Sequence, residues 1–589
     1  MSDQIIQQNM VMLNSSKLLL LLTLLTFLFI IGGFLDVLEV NRGVIIFIYL
    51  SGLILTILLL SEKLLKPINC TIRINKYDLD KVNLLYIIFF ITVSLIYILF
   101  VWQIILKFPR ADSVVLTTIA ISLKASQLND RLFAGEIGWV LLIRGISVIT
   151  GKINNFLFIW VPFLQLVPYF LLVRCVFREF RTSLLSAITM YMYSNISWLL
   201  VREKILESFI SKDFFNALKY VSAYLFNSRG NQLHNNLIQP VPEQFARFLY
   251  FMILYIVISS KGKLQKWDIF IFWLSMFLCF LIHPIVATIC AISLTVYFFS
   301  KGFTIKKTYM IISIPTLLYA LIIFLVSGIL IKRITFAVQI CLDALGLMIV
   351  PIFFSLLTKL MKFIRANSVI KVKISSFYVK IGLLTYWSIL IIIVYLFYNF
   401  NSWDYAMFVG LPWFSYFILL GILPMLVLKG FAENLFDTRN KNWFALQALL
   451  FLILSELVGM VSENIYYVGT YSSRILTYSI VFMIPLAMHV LSCILNYRNS
   501  FVKYILVFSI SFLLFFGSIL GILYWLDAPS KTIPRPWNPQ TPNVLIELAE
   551  PRSYNVSIKF EGFKLADVFT IPLLLCILMI VHPNSKKMS

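Results

Sequence analysis

KLLLLLTLLTFLFIIGGFL, residues Lys17 to Leu35, runs nineteen residues with a single charge at its first position. A hydrocarbon core about 30 Å thick takes roughly 20 apolar residues of α-helix, so this stretch reads as a membrane span. It is longer than a signal-peptide core and has no small-residue cleavage site, so it is expected to stay in the chain. A tight turn with Asp36, Glu39 and Arg42 leads into a second span at about 44–61. The two acids read as solvated turn residues.

Runs of this kind recur along the chain, and composition agrees. Of 589 residues, 60% are hydrophobic and 13% charged, with a mean hydropathy of +0.92, far above a soluble globular chain. The fold expected is an all-α polytopic membrane protein of about 16 transmembrane helices with external interfacial helices. The net charge of +23 does not point to nucleic acid. Its Lys and Arg fall in short connectors, as cytoplasmic loops facing anionic lipid do. The seven cysteines (Cys70, Cys175, Cys279, Cys290, Cys341, Cys493, Cys576) include no CxxC pair and read as small apolar residues.

Sidedness follows from the basic clusters. Lys63 to Lys81, Arg174 to Arg181, Lys261 to Lys266, Lys301 to Lys307, Lys359 to Lys373, Lys429 to Lys441 and Arg498 to Lys503 all fall on one side when spans alternate. Both termini are then expected in the cytoplasm. The chain divides into an N-terminal hairpin with its cytoplasmic loop (1–82), a module with external loops 107–153 and 202–244 (83–300), a helical part (301–525), and a Pro-rich external segment with a last span (526–589). The fifth span is expected at about 183–201.

Phe108-Pro109-Arg110-Ala111-Asp112 leaves the third span on the far side. Proline breaks the helix, and Asp112 then precedes a helix-like run from Ser113 to Gln127 that is too polar to cross. Asp112 can cap that run, serve as a general base, or do both. Ile137 to Thr150 is 14 residues and carries Arg144; an arginine at mid-membrane costs about 2.5–3.5 kcal/mol, so this piece is expected to lie in the outer interface.

Four more places on the same side carry polar chemistry. Pro240 and Pro242 present Glu243 at the mouth of span six, as a second acid, a cation ligand or an interfacial carboxylate. His283 precedes Pro284 at a helix start and can meet a phosphate oxygen, shuttle a proton, or be structural. Arg474 opens span fourteen among tyrosines that include Tyr478; its fork fits a phosphate, and snorkelling in an aromatic belt explains it equally. Glu463, eleven residues earlier, is its candidate ion-pair partner.

Several motifs are missing. There is no GxxxxGK[ST], GxGxxG, HExxH, GxSxG or zinc spacing, so nucleotide-driven pumping and metalloprotease chemistry lack support. No ladder of regularly spaced arginines suggests a voltage sensor.

The order of these features resembles the GT-C superfamily of polytopic membrane glycosyltransferases that use lipid-linked sugars. The resemblance rests on Pro109-Arg110-Ala111-Asp112 after an early span, the run Gly138 to Gly151, Pro240-Val241-Pro242-Glu243, His283-Pro284, and Arg474-Ile475-Leu476-Thr477-Tyr478 with Pro485 beyond. It covers roughly residues 80–500 and is one of order and sidedness. It departs from the superfamily in placing its acid after the third span, and it has no large soluble C-terminal domain.

The resemblance implies transfer of single sugars from a polyprenyl-phosphate donor to a glycan, lipid or protein acceptor on the extracytoplasmic side. Asp112 would be the catalytic base. Arg474 would hold the donor phosphate, with Arg110, Glu243, His283, Glu463 and Tyr478 lining the pocket and a divalent cation as a candidate cofactor. A prokaryotic plasma membrane fits better than the endoplasmic reticulum, although Lys586-Lys587-Met588-Ser589 resembles a dilysine retrieval signal. Two other readings stand beside it: a polysaccharide polymerase or O-antigen-type ligase with catalytic Arg and His, and a lipid or glycan flippase with a polar path through the bilayer.

Overall fold

The computed structural model describes residues 13–60, 71–72, 120, 137–150, 164–196, 198–199, 202–211, 213, 216–217, 242–259, 266–300, 305–324, 376–396, 413–433, 435–436, 439–461, 468–495 and 500–527. Among them are sixteen helices: α1 Ser15–Val37, α2 Arg42–Leu60, α3 Ile137–Thr150, α4 Leu166–Phe177, α5 Phe180–Met192, α6 Arg202–Ile210, α7 Pro242–Ser259, α8 Lys266–Ile282, α9 Pro284–Ser300, α10 Ile305–Phe324, α11 Ser376–Leu396, α12 Trp413–Leu420, α13 Leu423–Ala432, α14 Arg439–Val461, α15 Val468–Ile494 and α16 Ser500–Asp527. A two-residue ladder pairs Leu13–Asn14 with Thr71–Ile72. The fold is all-α, as expected, but the sixteen helices are not the sixteen expected spans. Spans expected at 84–105 and near the C-terminus lie outside the described residues.

Among the described residues three helical stretches, Leu19–Val37, Asn440–Val458 and Arg474–Ile494, are long and apolar enough to cross a membrane, and nine apolar helices are shorter. The bundle is centred on α7 and α15. Every α7 residue from Pro242 to Ile258 is buried, and the Arg474–Ile494 stretch of α15 is 94% buried against 33% for the α14 stretch. Large apolar side chains point outward instead on α2 (Phe47, Ile54), α11 (Leu384, Ile391) and α16 (Tyr504, Phe508). In water a patch of that size is a liability; against acyl chains it is the ordinary surface of a span.

Direction along the bundle is set by pairs of side chains. Tyr169 of α4 donates to the Val481 carbonyl of α15 at 2.7 Å and lies beside Phe251 of α7, while Phe177 packs on His489. With Arg247 of α7 bonded to Tyr478 of α15, helices α4, α7 and α15 run parallel. One end of the bundle holds the starts of α7 and α15 and the α8–α9 junction; the other holds Glu179, Lys441 and His489. We refer to these as the Glu243 end and the Lys441 end.

Helix α3 departs from the expectation of an interfacial helix. It is packed inside, with Trp139, Val140, Leu141, Leu142 and Ile143 all buried, antiparallel to α1. Two glycines permit the approach: a Cβ on Gly145 would meet the Phe29 carbonyl, and one on Gly33 the Leu141 carbonyl. Tyr49 of α2 then donates to the Gly145 carbonyl at 2.9 Å. The arginine that argued against burial is neutralised, because Arg144 Nε pairs with Asp36 Oδ2 at 2.5 Å and its Nη1 donates to the Ala120 carbonyl. Asp36 is thus a structural partner, and the desolvation cost that set the interfacial expectation is offset by the pairing.

The fifth expected span is also shorter. Helix α5 ends at Met192, and residues 193–195 are non-helical and buried. Their neighbour is the α12–α13 break, where Gly421 takes φ +51, open to a residue without a Cβ, and Pro424 stands in the first turn of the next helix. Backbone groups freed inside a bundle need partners, and these find them. Tyr193 donates to the Leu419 carbonyl at 2.7 Å, Ser194 N–H to the Leu514 carbonyl at 2.9 Å and Ile196 N–H to the Ile418 carbonyl at 3.2 Å. Tyr386 covers the Gly421 carbonyl at 2.8 Å.

Candidate functional site

Pro242 is the first residue of α7, where a missing N–H costs nothing, and Glu243 sits in the first turn beside the helix's free N–H groups. Four residues on, and so on the same face, is Arg247. Both are buried; Arg247 is 0% exposed. Its Nη2 donates to Glu243 Oε1 and its Nε to the Tyr478 hydroxyl at 3.2 Å. The guanidinium carbon lies 5.2 Å from the Tyr478 ring centroid, and Tyr478 Oη reaches Glu243 Oε1 at 3.5 Å.

Arg474 lies one turn before Tyr478 on α15, and its charge acts on Glu243 together with that of Arg247; the His283 imidazole is also within electrostatic reach. His283 occupies the single non-helical position between α8 and α9. Three chain segments, α7, the α8–α9 junction and α15, thus place Glu243, Arg247, His283, Arg474 and Tyr478 together at the Glu243 end. Helix α3 supports them: Gly138 packs on the Leu281 backbone, and Trp139 tilts on Phe245 with ring centroids 6.1 Å apart.

Charge arithmetic decides what such a cluster can hold. Among the described residues two guanidinium groups and one carboxylate leave one net positive charge when His283 is neutral. Glu243 is committed to Arg247, so it holds an arginine in place and is not a spare acid. Arg247 Nη1 is buried and makes no hydrogen bond among the described residues, a donor of the kind that normally has an acceptor. The arrangement suits an anion with oxygen acceptors.

Below the cluster lies one hydrogen-bonded polar layer. Tyr250 Oη and Ser293 Oγ share a hydrogen bond at 2.8 Å, and Ser293 Oγ donates to Gln447 Oε1 at 3.2 Å. Next come aromatic rings: Phe451 stacks on Phe482, Phe482 meets Trp443 and Phe444, and Phe444 meets Phe177. These rings separate the cluster from Glu179, Lys441 and His489.

Glu243, His283, Arg474 and Tyr478 were legible as site candidates in the sequence, and the fold brings them together. Asp112, Arg110 and Glu463 lie outside the described residues. Sequence reading missed Arg247, although Glu243 and Arg247 at i,i+4 in an otherwise apolar helix are the signature of a buried pair. Among the described residues no three His, Cys, Asp or Glu side chains stand together as metal ligands. No family model, curated protein or solved structure matches the chain, so the functional reading rests on this cluster and on the order of features in the sequence.

Proposed function

We propose that this protein is an integral membrane glycosyltransferase that moves a sugar from a polyprenyl-phosphate donor to an acceptor on the extracytoplasmic side, with the Glu243 end facing outward. The observation that carries the proposal is the joining of Arg247 and Arg474 with His283 and Tyr478 around one committed carboxylate, a net-positive site at the mouth of a bundle with lipid-facing walls. A polyprenyl phosphate cannot leave the bilayer, so its enzyme needs a cationic site at membrane depth and a base beyond it. Arg474 and Arg247 hold the donor phosphate, and Tyr478 and Glu243 fix Arg247. Asp112 takes the proton of the acceptor hydroxyl as its oxygen attacks the anomeric carbon, and the lipid phosphate leaves.

The aromatic layer beneath the cluster favours this reading over a flippase, whose substrate would need a polar route along the bundle. A polymerase or O-antigen-type ligase is the second reading, favoured by His283 and Arg474 lying in one cluster; there they are the catalytic groups and Asp112 is dispensable. Purified protein in proteoliposomes, given a panel of polyprenyl-phosphate sugars and acceptors, separates them. Sugar transfer lost in both Asp112→Asn and Arg474→Ala supports the proposal. Transfer intact in Asp112→Asn and lost in His283→Ala supports the ligase, and lipid translocation without transfer supports the flippase.

A further inference from the structure

At the Lys441 end a second titratable cluster joins three parts of the fold. His489 of α15 is 4% exposed, and both its ring nitrogens are engaged. Nδ1 is 3.1 Å from Glu179 Oε2 in the α4–α5 turn, and Nε2 is 3.1 Å from Lys441 Nζ in the first turn of α14. Thr182 donates to the same Glu179 oxygen at 2.6 Å. Lys441 also donates to the Leu435 carbonyl at 3.1 Å and stands over the Phe177 ring.

The partners fix the tautomer. A carboxylate only accepts and an ammonium only donates, so the bonds are satisfied together when His489 is neutral with its proton on Nδ1. A second proton, on Nε2, would point at the Lys441 ammonium from 3.1 Å, setting donor against donor and like charge against like charge. The attraction to Glu179 would grow, so the imidazolium stays and Lys441 is the group that leaves. Among the described residues the other titratable groups around the joint are Cys493, one turn along α15, and Glu433, which acts on Cys493 as Glu179 and Lys441 do. Glu433 is itself paired with Lys429. Thr182 is the remaining polar side chain on the ring, and Phe177 and Phe436 flank it.

We propose that His489 is a proton-operated latch: neutral, it fastens the start of α14 to α15 and the α4–α5 turn through Lys441, and protonated, it releases Lys441 and loosens that end of α14. Gaining a proton is favoured by acid, so the release belongs to the acid side of the change. The same helix carries Tyr478 eleven and Arg474 fifteen residues earlier, about 16 and 22 Å along its axis. The latch stands on its own geometry and does not rest on the proposed transfer reaction.

Hydrogen exchange of the full chain in nanodiscs tests it, corrected for the intrinsic pH dependence of exchange. In the wild type, protection of the peptide carrying Leu435 and Lys441 should fall about tenfold between about pH 8 and 5.5. In His489→Gln, whose amide can accept from Lys441 and donate to Glu179, it should change less than about twofold. Lys441→Gln should already exchange fast at the higher pH and respond little to acid, which keeps the test valid if His489→Gln fails to fold. Unchanged protection in the wild type, or an equal fall in His489→Gln, overturns the latch; an equal fall that vanishes in Glu179→Gln assigns the response to the carboxylate.

Discussion

The Tyr478 hydroxyl on α15 accepts a hydrogen bond from Nε of Arg247 on α7 at 3.2 Å, joining the two most buried helices of the bundle through a side chain that sequence reading overlooked. Arg247 is held from two sides, by Glu243 and by Tyr478, while its buried Nη1 makes no hydrogen bond among the described residues. That relationship makes the site a prearranged cation.

Removing one member of the buried pair should be worse than removing both. Glu243→Ala leaves Arg247 charged without its counter-ion and should cost about 3–5 kcal/mol. The double variant Glu243→Gln with Arg247→Met should recover most of that loss. Thermal unfolding of Glu243→Gln, Arg247→Met and the double variant in one detergent measures the coupling; additive losses would contradict the pairing.

Tyr478→Phe keeps the ring over the guanidinium and deletes one hydroxyl. Stability should fall by about 1–3 kcal/mol, and donor KM should rise while the unfolding transition stays cooperative. A variant with normal KM would remove Tyr478 from the binding machinery.

The α1–α3 contact depends on side chains that are absent. Gly145→Leu forces a side chain into the Phe29 carbonyl and should cost about 1–3 kcal/mol or more by overpacking. Arg144→Met should be destabilising alone and less so with Asp36→Asn, because the charges are removed together. Cysteine cross-linking between positions 29 and 145 reports whether the two helices still touch.

Acid should act on the Lys441 end through Glu179 as well. Burial pushes its carboxyl up, but the hydrogen bonds from His489 and Thr182, with the charge of Lys441, more than offset that and hold it below the ordinary carboxylate value. A carboxyl with a lowered folded-state pKa contributes stability that is full above the unfolded value of about 4.3 and is lost as pH falls through the folded value. Glu179→Gln should therefore be less stable than wild type above about pH 5 and approach it below about pH 4. Parallel pH–stability curves would place the carboxylate elsewhere.

Much of the fold was legible because spans are written in runs of apolar residues: α1 and α2 match the expected spans to within about two residues. The exceptions share a cause. Helix α3 looked too charged to be buried because Asp36, more than a hundred residues away, could not be seen to neutralise Arg144. Helix α5 looked continuous because Ser194 and Asn195 are only mildly polar; what ends it is the set of carbonyls on α12 and α16 that its backbone meets. At the site, Glu243, His283, Arg474 and Tyr478 were visible as polar residues at helix mouths. Arg247 was hidden by its apolar neighbours, although its spacing from Glu243 was there to be read.

The most direct test is a cryo-EM structure with a polyprenyl-phosphate sugar bound in nanodiscs. The proposed site predicts phosphate density about 3 Å from the guanidinium groups of Arg474 and Arg247, with the Asp112 carboxylate facing the sugar from the acceptor side. Phosphate bound away from both arginines, or Asp112 on the far side of the bundle, would contradict it.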